Sequence, residues 1–302
     1  MNVTVGNSFM KLYHQRDMNG KRLNIVQGRD DMPELPEIYI LAGQMSKELA
    51  GKKIVETEVR QVKCLNMPAE EFAALLKDRT IGNIMPRGKW IIAALEPEAY
   101  FLLSLGMGGD VRYHKPGEAA QEKYQLKLDF DDRSSLSIAF WWFGYAHAAT
   151  AAGLKTHKMT ASLGPSPLDD KAFTYEYFSG LFKGSRKTIK SILIDQKLIA
   201  GIGNVYVQDT LFRARLRPNR KASELSEKDI EALYQAIYDN LKEAIELGGT
   251  PERDLYGRPG RLGQDKFLVG YREGLPCPEC GTVIEKIKTG STSSYVCPRC
   301  QR

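Results

Sequence analysis

The sequence lacks the features that direct a protein into a membrane or out of the cell. No apolar run reaches the roughly 18 residues that a membrane-spanning helix needs. The first residues, MNVTVGNSFMKLYHQRD, have neither the apolar core nor the cleavage site of a secretory signal. Histidine is scarce, and the four histidines at positions 14, 114, 147 and 157 are not spaced as metal ligands. These absences predict a cytosolic protein with no role in a membrane and no histidine metal centre.

Excess charge is also absent from most of the chain. The 302 residues, enough for two domains, carry a net charge of +6. Residues 181–302 contain 21 Lys and Arg against 15 Asp and Glu, so the whole excess lies there. Such an asymmetry is typical of a protein that binds nucleic acid, and an ordinary basic surface explains the charge equally well.

Cysteine is rare before residue 277 and concentrated after it. Cys64 stands alone and is expected to be a small buried apolar group. The knuckles CPEC at 277–280 and CPRC at 297–300 are separated by 16 residues, a spacing typical of a tetrahedral four-thiolate zinc site. A pair of disulfides is the alternative, but nothing in the sequence indicates secretion. We therefore expect one structural Zn²⁺ on Cys277, Cys280, Cys297 and Cys300.

Hydrophobic periodicity divides the chain into strand-rich and helix-rich parts. Apolar residues recur at helical spacing from Ile38 to Leu49, directly after Pro33–Glu34, and Gly51 is a plausible stop. Residues 124–130 and 136–140 then alternate around a turn at 131–133, which indicates a hairpin. The runs at 90–95 and 100–105 read as buried strands. An all-β sandwich or flattened barrel is predicted here.

The second half of the chain has helical periodicity. TIKSILIDQKL, NVYVQDTLFRARL and the stretch 224–247 fit helices, with the glycine turn AGIGN between the first two. The predicted fold is α+β and multi-domain. We expect an N-terminal extension over 1–31 that is disordered or not native, a β-sandwich domain preceded by a helix over 32–160, a helical domain over 161–270, and a zinc finger over 271–302.

A basic patch accompanies the glycine turn. Arg186 and Lys190 lie in GSRKTIK, and Asn204 opens the following helix. Backbone amides at a helix start can hold a phosphate oxygen, and nearby cations add to that attraction. A glycine-linked helical hairpin is also common in proteins that bind nothing, so the patch alone does not establish DNA binding.

Several motifs in this order resemble the formamidopyrimidine-DNA glycosylase / endonuclease VIII family. They are MPELPE at 32–37, RGK at 87–89, LGMGG at 105–109, LGPSPL at 163–168, IDQKLIAGIGNVY at 194–206, GGT at 248–250 and the cysteine finger. Together they span residues 32–302. The resemblance implies a helix-two-turn-helix DNA-binding domain, damaged double-stranded DNA as the partner, and a monomer, although the residues themselves leave a dimer open.

The resemblance also implies a catalytic group. In the family, the proline after the initiator methionine becomes the N-terminus and attacks C1′ of the damaged nucleotide, which points to Pro33. An α-amine has a pKa of about 8, so it is partly neutral and nucleophilic near pH 7. Glu34 would act as the acid and base, and Lys89 matches the family's catalytic or phosphate-anchoring lysine. The plain alternative is a helix-start proline followed by an acidic first-turn residue.

The chain departs from the family in three places. Pro33 is internal, which indicates that translation begins at Met32, that residues 1–31 are removed, or that the protein is not a lyase. Met107 and Phe143 match two side chains that fill the hole left by a flipped base, but Trp141 and Trp142 replace two arginines. Thr292 stands where the finger typically has an arginine. These changes predict weak discrimination of the opposite base and impaired δ-elimination.

Three functions remain open at this stage. The first is a bifunctional glycosylase and AP lyase that excises oxidised bases. The second is a catalytically weak or silent paralogue that binds damaged DNA, consistent with the lost arginines and the internal proline. The third is a zinc-ribbon transcription or RNA-binding factor, which would explain the finger but not MPELPE.

Overall fold

The structure is a computed structural model that describes residues 13–16, 22–25, 32–169 and 171–302. The strand-rich part contains, in chain order, β1 (Tyr13–Arg16), β2 (Arg22–Ile25), α1 (Leu35–Leu49), β3 (Ile54–Val59), α2 (Ala69–Leu76), β4 (Thr80–Arg87), β5 (Trp90–Glu96), β6 (Ala99–Ser104), β7 (Asp110–His114), β8 (Leu126–Phe130), β9 (Ser135–Ala139), β10 (Tyr145–Thr150) and α3 (Ala151–Lys155). Apart from the antiparallel pair β1–β2, the predicted extension over 1–31 lies outside the described residues.

The second part of the chain is mainly helical. It contains α4 (Tyr175–Gly180), α5 (Ile189–Leu193), α6 (Tyr206–Arg213), α7 (Glu227–Glu246), β11 (Glu285–Thr289) and β12 (Thr292–Val296). The mixed α+β prediction is therefore confirmed, with β-sheets first, helices next and a cysteine hairpin last. The predicted domain boundaries stay predictions. Among the described residues, no helix combines the length and apolar character needed to cross a membrane.

Two four-stranded antiparallel sheets form the predicted sandwich. Their strand orders are β10-β6-β5-β4 and β3-β8-β9-β7. Inward side chains of both sheets share one core, to which Phe101 and Leu103 contribute from the first sheet and Leu128 and Ile138 from the second. Alternation of apolar and polar residues places every second side chain of β8 in this core, as its pattern predicted.

The strand register brings three turns to one end of the sandwich. Ile91 pairs with Leu103, and Ser104 pairs with Tyr145. The start of β5, the end of β6 and the start of β10 therefore lie side by side. The turns that carry Lys89, Met107 and Phe143 consequently project from the same end of the sandwich.

Helix α1 connects the two cores. Glu34 is its N-cap, and the Glu34 N–H donates to Glu37 Oε2 over 3.0 Å in a capping box. Ile38 and the following apolar residues pack into the sandwich core, whereas Leu35 packs into the helical core with α5, α6 and α7. The first turn of α1 thus lies at the junction of the two parts.

One predicted helix is shorter than its periodicity suggested. The prediction ran through TIKSILIDQKL, but α5 ends at Leu193. Asp195 Oδ1 accepts from the Lys197 N–H over 3.1 Å, and such local side-chain bonds compete with the helical ladder. The chain therefore turns at Asp195 and leads into the glycine loop.

Candidate active site at the domain junction

Glu34 places a buried carboxylate at the junction of the two parts of the chain. Its side chain is 3% exposed. Oε2 accepts from the Gly203 N–H at 2.8 Å and the Tyr206 N–H at 3.3 Å, and Oε1 accepts from the Val205 N–H at 3.1 Å. These amides belong to the start of α6, where the helix dipole also favours an anion. A buried carboxylate held in this way has a fixed position.

The glycine loop reaches Glu34 because it carries no side chains there. A Cβ on Gly203 would lie 2.0 Å from Glu34 Oε1 and 2.2 Å from Lys89 Nζ. A Cβ on Gly201, whose φ is +107°, would lie 2.7 Å from the Leu35 Cβ. The Leu35 N–H donates to the Gly201 carbonyl over 3.0 Å. Glycine at these two positions permits the close approach of α1 and the loop.

Lys89 is the cation of the site. Its Nζ lies 3.5 Å from Glu34 Oε1, and its side chain is mostly buried. The Gly88 turn that presents it packs on Ala200 of the glycine loop. Arg87, next in the same motif, donates to the carbonyls of Gly164 at 2.8 Å and Leu163 at 2.6 Å. The RGK motif thus supplies both a site cation and a clamp between the two parts of the chain.

Pro33 is buried directly before Glu34. In the 302-residue chain its nitrogen is joined to Met32 in a peptide bond. An amide nitrogen has no basic lone pair, so it cannot attack carbon in this form. The structure therefore brings Pro33, Glu34 and Lys89 together, and any nucleophilic role for Pro33 requires a chain that begins at Pro33.

Glu37 is a site residue that sequence reasoning missed. It is buried, and its Oε1 accepts from the Tyr206 hydroxyl and from the Thr250 N–H at 2.8 Å. Burial raises the pKa of Glu37, and the hydrogen bonds to Tyr206, Thr250 and Glu34 oppose part of that rise. Gly249 has φ +78°, and its Cα faces this carboxylate. The capping-box spacing of Glu34 and Glu37 was the signal available in the sequence.

The aromatic residues form an exposed tip between β9 and β10. Met107 and Trp142 pair as a backbone bridge, with N–H to O distances of 2.8 and 3.2 Å. The side chains of Trp141, Trp142 and Phe143 are all exposed, and the Trp142 and Phe143 rings meet edge to face at 5.7 Å. The four residues predicted to contact DNA on this side of the site are therefore grouped together.

The residues of the basic patch have different surroundings. Arg186 is exposed and has no side-chain partner among the described residues. Lys190 is 2% exposed, and its amine donates to Asn204 Oδ1 at 2.8 Å and to Thr292 Oγ1 at 2.9 Å. It has further acceptors in Thr289 Oγ1, the Ser293 carbonyl and Ser294 Oγ. Burial lowers the pKa of Lys190 to about 8.

This arrangement gives Asn204 a defined orientation. Its Oδ1 accepts from Lys190 Nζ and from Gln208 Nε2 at 3.2 Å. The Asn204 amide group is therefore turned so that its NH₂ points away from both donors. Thr292 donates its own hydroxyl to the Thr289 carbonyl at 3.2 Å, so its bonding capacity is used within the hairpin and by Lys190.

The four cysteines form the predicted metal centre. Their Sγ atoms all lie within 4.8 Å of one another, with Cys277–Cys300 at 3.9 Å and Cys280–Cys297 at 3.5 Å. Tetrahedral Zn–S bonds of about 2.3 Å place sulfurs about 3.8 Å apart, so the group fits zinc. The hairpin β11–β12 packs on Phe212 of α6. A zinc site therefore organises the finger against the helix that also holds Glu34.

Comparison with protein families gives three consecutive matches. Residues 32–140 match the formamidopyrimidine-DNA glycosylase N-terminal domain. Residues 163–254 match the formamidopyrimidine-DNA glycosylase H2TH domain. Residues 274–302 match the zinc finger found in FPG and IleRS. Together the three matches cover the β-sandwich part of the chain, the helical part and the cysteine hairpin.

Individual relatives show the same similarity. The formamidopyrimidine-DNA glycosylase of Roseiflexus sp. (strain RS-1) is 36% identical over 278 residues, which cover 90% of this chain and 100% of that protein. The Listeria innocua enzyme is 34% identical over 275 residues, with the same coverage. The Lactococcus lactis Fpg, solved in complex with DNA containing an N7-benzyl-Fapy-dG, superposes with a TM-score of 0.82 at 29% identity and covers 89% of this chain and 100% of that one. The MutM (Fpg) protein of Thermus thermophilus superposes with a TM-score of 0.79 at 32% identity, covering 89% and 98%.

Proposed function

The chain belongs to the formamidopyrimidine-DNA glycosylase family, and we propose that it is a bifunctional glycosylase and AP lyase that removes oxidised bases and cuts the strand by β-elimination. Its relatives are named formamidopyrimidine-DNA glycosylases, and one of them, the Lactococcus lactis Fpg, is solved in several complexes with damaged DNA. The protein is accordingly a DNA-binding repair glycosylase with a structural zinc finger. The lyase step, the preference for formamidopyrimidine or 8-oxopurine lesions, and a monomeric state are part of the proposal.

The observation that carries the proposal is the position of Glu34. Three backbone N–H groups hold its carboxylate between Pro33 and Lys89. A protein that only binds DNA has no need of a buried carboxylate that lies beside a lysine and directly follows the proline proposed as the nucleophile. Such an alignment suits proton transfer at a sugar that is being attacked from one side.

Pro33 would supply the nucleophile once it is the N-terminal residue. The lone pair of its secondary amine attacks C1′, and the bond from C1′ to the base breaks. The attacking amine passes its proton to Glu34, and Glu34 delivers it to the sugar ring oxygen as the ring opens, leaving an iminium ion between the proline nitrogen and C1′. The departing base takes a proton from water. Loss of a C2′ proton then moves electrons toward C3′, and the 3′ phosphate leaves. Water finally hydrolyses the iminium and releases the enzyme.

The other predicted site residues would act on the DNA backbone and on the gap in the duplex. Lys89 and the Asn204 amide would hold phosphates beside the lesion, and Arg186 would add charge at the surface. Met107 and the aromatic tip would enter the space left by the flipped base. Lys190 and Thr292 would act through Asn204 and the finger, since both are engaged within the protein.

A cavity of about 400 Å³ lies beside the loop that follows α7. Asp110 and Arg112 of β7 line one side, where Arg112 forms two 2.8 Å hydrogen bonds with Asp110, and Arg253 lines the other. We propose that the segment 250–270 covers the flipped base from this side.

The zinc finger bears on the second elimination step. Because Thr292 brings no cation to the finger tip, the strand should be cut mainly by β-elimination.

Borohydride trapping on an oligonucleotide with an abasic site tests this function. A chain started at Met32, with the methionine removed, should form a covalent adduct. The 302-residue form is the matched control and should form none, because Pro33 is then an amide. An adduct with both forms would exclude Pro33 as the nucleophile. A product with phosphates on both sides of a one-nucleotide gap would contradict the β-elimination assignment.

A second function, binding of damaged DNA without catalysis, is supported by the exposed aromatic tip and by Thr292, whose hydroxyl is already bonded within the protein. The chain lacks arginines at positions where the resemblance expects DNA contacts, which fits a silent paralogue that binds damaged DNA. Tight binding of an abasic-site oligonucleotide without an adduct from either form would establish this function instead.

A further inference from the structure

Three consecutive aromatic side chains project from the turn between β9 and β10. Trp141 is 69% exposed, Trp142 56% and Phe143 60%. Trp141 is the most exposed large apolar side chain in the described part of the chain. Exposed apolar residues usually occur singly, and a contiguous group of this kind indicates a binding surface.

The turn holds these rings in a defined place. A Cβ on Gly106 would lie 2.2 Å from the Trp142 carbonyl, and a Cβ on Gly144 would lie 1.9 Å from the Phe140 ring. The Met107–Trp142 bridge closes the turn from the other side. The two glycines and the bridge therefore pack the backbone of the tip tightly while its side chains face solvent.

The tip has no charge to offer a phosphate. No Asp, Glu, Lys or Arg occurs between Arg133 and Lys155. The side chains of the tip can donate only through the indole N–H groups of the tryptophans. They present flat aromatic surface, and the group in DNA that stacks on such a surface is the face of an unpaired base.

We propose that Trp141, Trp142 and Phe143 form a stacking platform for unpaired bases, and that the protein acts on damaged bases in single-stranded or bubble DNA at least as readily as in paired DNA. This inference rests on the proposed glycosylase function. In a duplex the damaged base must first be unpaired and unstacked, a cost that is smaller for a base that is already single-stranded. The tip stacks on a base in either context but has no guanidinium to read an opposite base. A complementary strand therefore adds the unpairing cost without adding a guanidinium contact to the opposite base.

The platform also lies in line with the active site. Its turn projects from the same end of the sandwich as the turn that carries Lys89, as the pairing of β5, β6 and β10 requires. A strand whose damaged nucleotide lies at Glu34 and Lys89 can therefore continue across the aromatic tip. This continuity favours nucleobases over a second copy of the chain as the occupant.

Excision of one formamidopyrimidine from the same oligonucleotide tests the platform. The strand is supplied alone, within a mismatched bubble, and fully paired, with the chain started at Met32. We expect single-strand and bubble rates equal to or above the duplex rate. The double substitution W141A and W142A should lower the single-strand rate about tenfold or more, because stacking on an aromatic side chain is worth about that factor per base. Tyr238→Ala on α7, which removes an aromatic side chain that is 43% exposed, should leave the rate unchanged.

Each other result has a defined meaning. A duplex rate more than about tenfold above the single-strand rate would overturn the platform, as would an unchanged rate in the double variant. If no substrate is cut, the glycosylase proposal fails, and the affinity of the single strand decides the platform: a loss in the double variant supports it and no change overturns it. A dimer in sedimentation that dissociates in the double variant would assign the tip to self-association and overturn the inference.

Discussion

The Lys190 amine donates to Thr292 Oγ1 over 2.9 Å, although the two residues lie 102 positions apart. This bond joins α5 to the tip of the zinc-finger hairpin. The same amine holds Asn204, whose neighbours Gly203 and Val205 donate to Glu34. A single buried cation therefore ties the finger to the loop that positions the candidate catalytic carboxylate.

Loss of this cation should destabilise the fold. Lys190→Met leaves several buried oxygen acceptors without their donor, which we expect to lower the free energy of unfolding by about 3 kcal/mol. Lys187→Met is the matched control, since Lys187 is exposed and its 3.1 Å ion pair with Asp195 contributes less than about 1 kcal/mol. Urea denaturation of both variants measures the difference, and equal losses would contradict the buried role of Lys190.

The approach of Gly203 to Glu34 should be essential to activity. Gly203→Ala places a Cβ 2.0 Å from Glu34 Oε1, so the loop and the carboxylate have to separate. We expect base excision to fall by about 100-fold or more, the range for losing a positioned acid or base. Gly180→Ala at the end of α4 meets nothing within 4 Å and should keep full activity. Single-turnover excision rates compare the two, and an active Gly203→Ala variant would remove Glu34 from the mechanism.

The protein should have a weak preference for the base opposite the lesion, and Trp141→Arg should strengthen that preference. Trp141 stacks on bases but has no guanidinium fork, so excision opposite C and opposite A should proceed at similar rates. Trp141→Arg restores a cation with two parallel donors and should favour one opposite base by about tenfold, since a good bidentate pair discriminates by about 1–3 kcal/mol. Rates on four duplexes that differ only in the opposite base measure this. A strong preference for C in the unaltered chain would contradict the role assigned to Trp141.

The finger should depend on one zinc ion per chain. Cys297→Ser removes a buried ligand, so the variant should lose zinc, unfold the hairpin and bind DNA weakly. Cys64→Ser is the control, because Cys64 lies outside the cluster and bonds the Gln61 carbonyl at 3.0 Å. Metal analysis should find one zinc in the unaltered chain and in Cys64→Ser. Retention of zinc by Cys297→Ser would contradict the four-thiolate assignment.

Mild acid should destabilise the sandwich through His147. Burial beside His157 lowers the pKa of His147 to about 4. The contribution of His147 to the free energy of unfolding is complete above about pH 6.5, the pKa of a histidine in the unfolded chain. It is lost as the pH falls toward 4, because over this range only the unfolded chain takes up the proton. Between pH 7 and pH 5 this effect is worth about 2 kcal/mol.

His147→Asn removes the titrating group and should flatten that part of the profile. His114 is a separate buried histidine whose pKa is also lowered by burial, and it titrates in both proteins. The difference between the two urea profiles therefore reports His147 together with its bonded partner His157, whose pKa is also lowered by burial. Parallel profiles would show that His147 is not the responsible group.

Much of the architecture could be predicted because it depends on local patterns. The alternation around residues 131–133 predicted the β8–β9 hairpin, and the structure turns there with Arg133 at φ +68°. The two C-x₂-C knuckles predicted the zinc site, because each knuckle positions two sulfurs through its own backbone. The motif series predicted the family, and the three family matches confirm it.

The surroundings of the site residues could not be read in the same way. Lys190 was predicted as a cation of the basic patch that attracts a DNA phosphate, and nothing in the local sequence indicates that the hairpin of residues 285–296 would cover it. Glu37 had the spacing of a capping residue, but its bonds to Tyr206 and Thr250 reach 169 and 213 positions along the chain. The length of α5 depended on an Asx turn at Asp195 that periodicity does not register.

The sequence alone determined the elements, the metal ligands and the identity of the candidate catalytic residues, since each depends on residue types a few positions apart. Only the tertiary structure decided what those residues do for one another. Glu34 is held by the start of α6 rather than by its own helix, and Lys190 is buried by the finger. The reason is physical: the hydrogen bonds and the desolvation that set the position and charge of these groups come from segments far apart in the chain, and they exist only once the two cores have packed together.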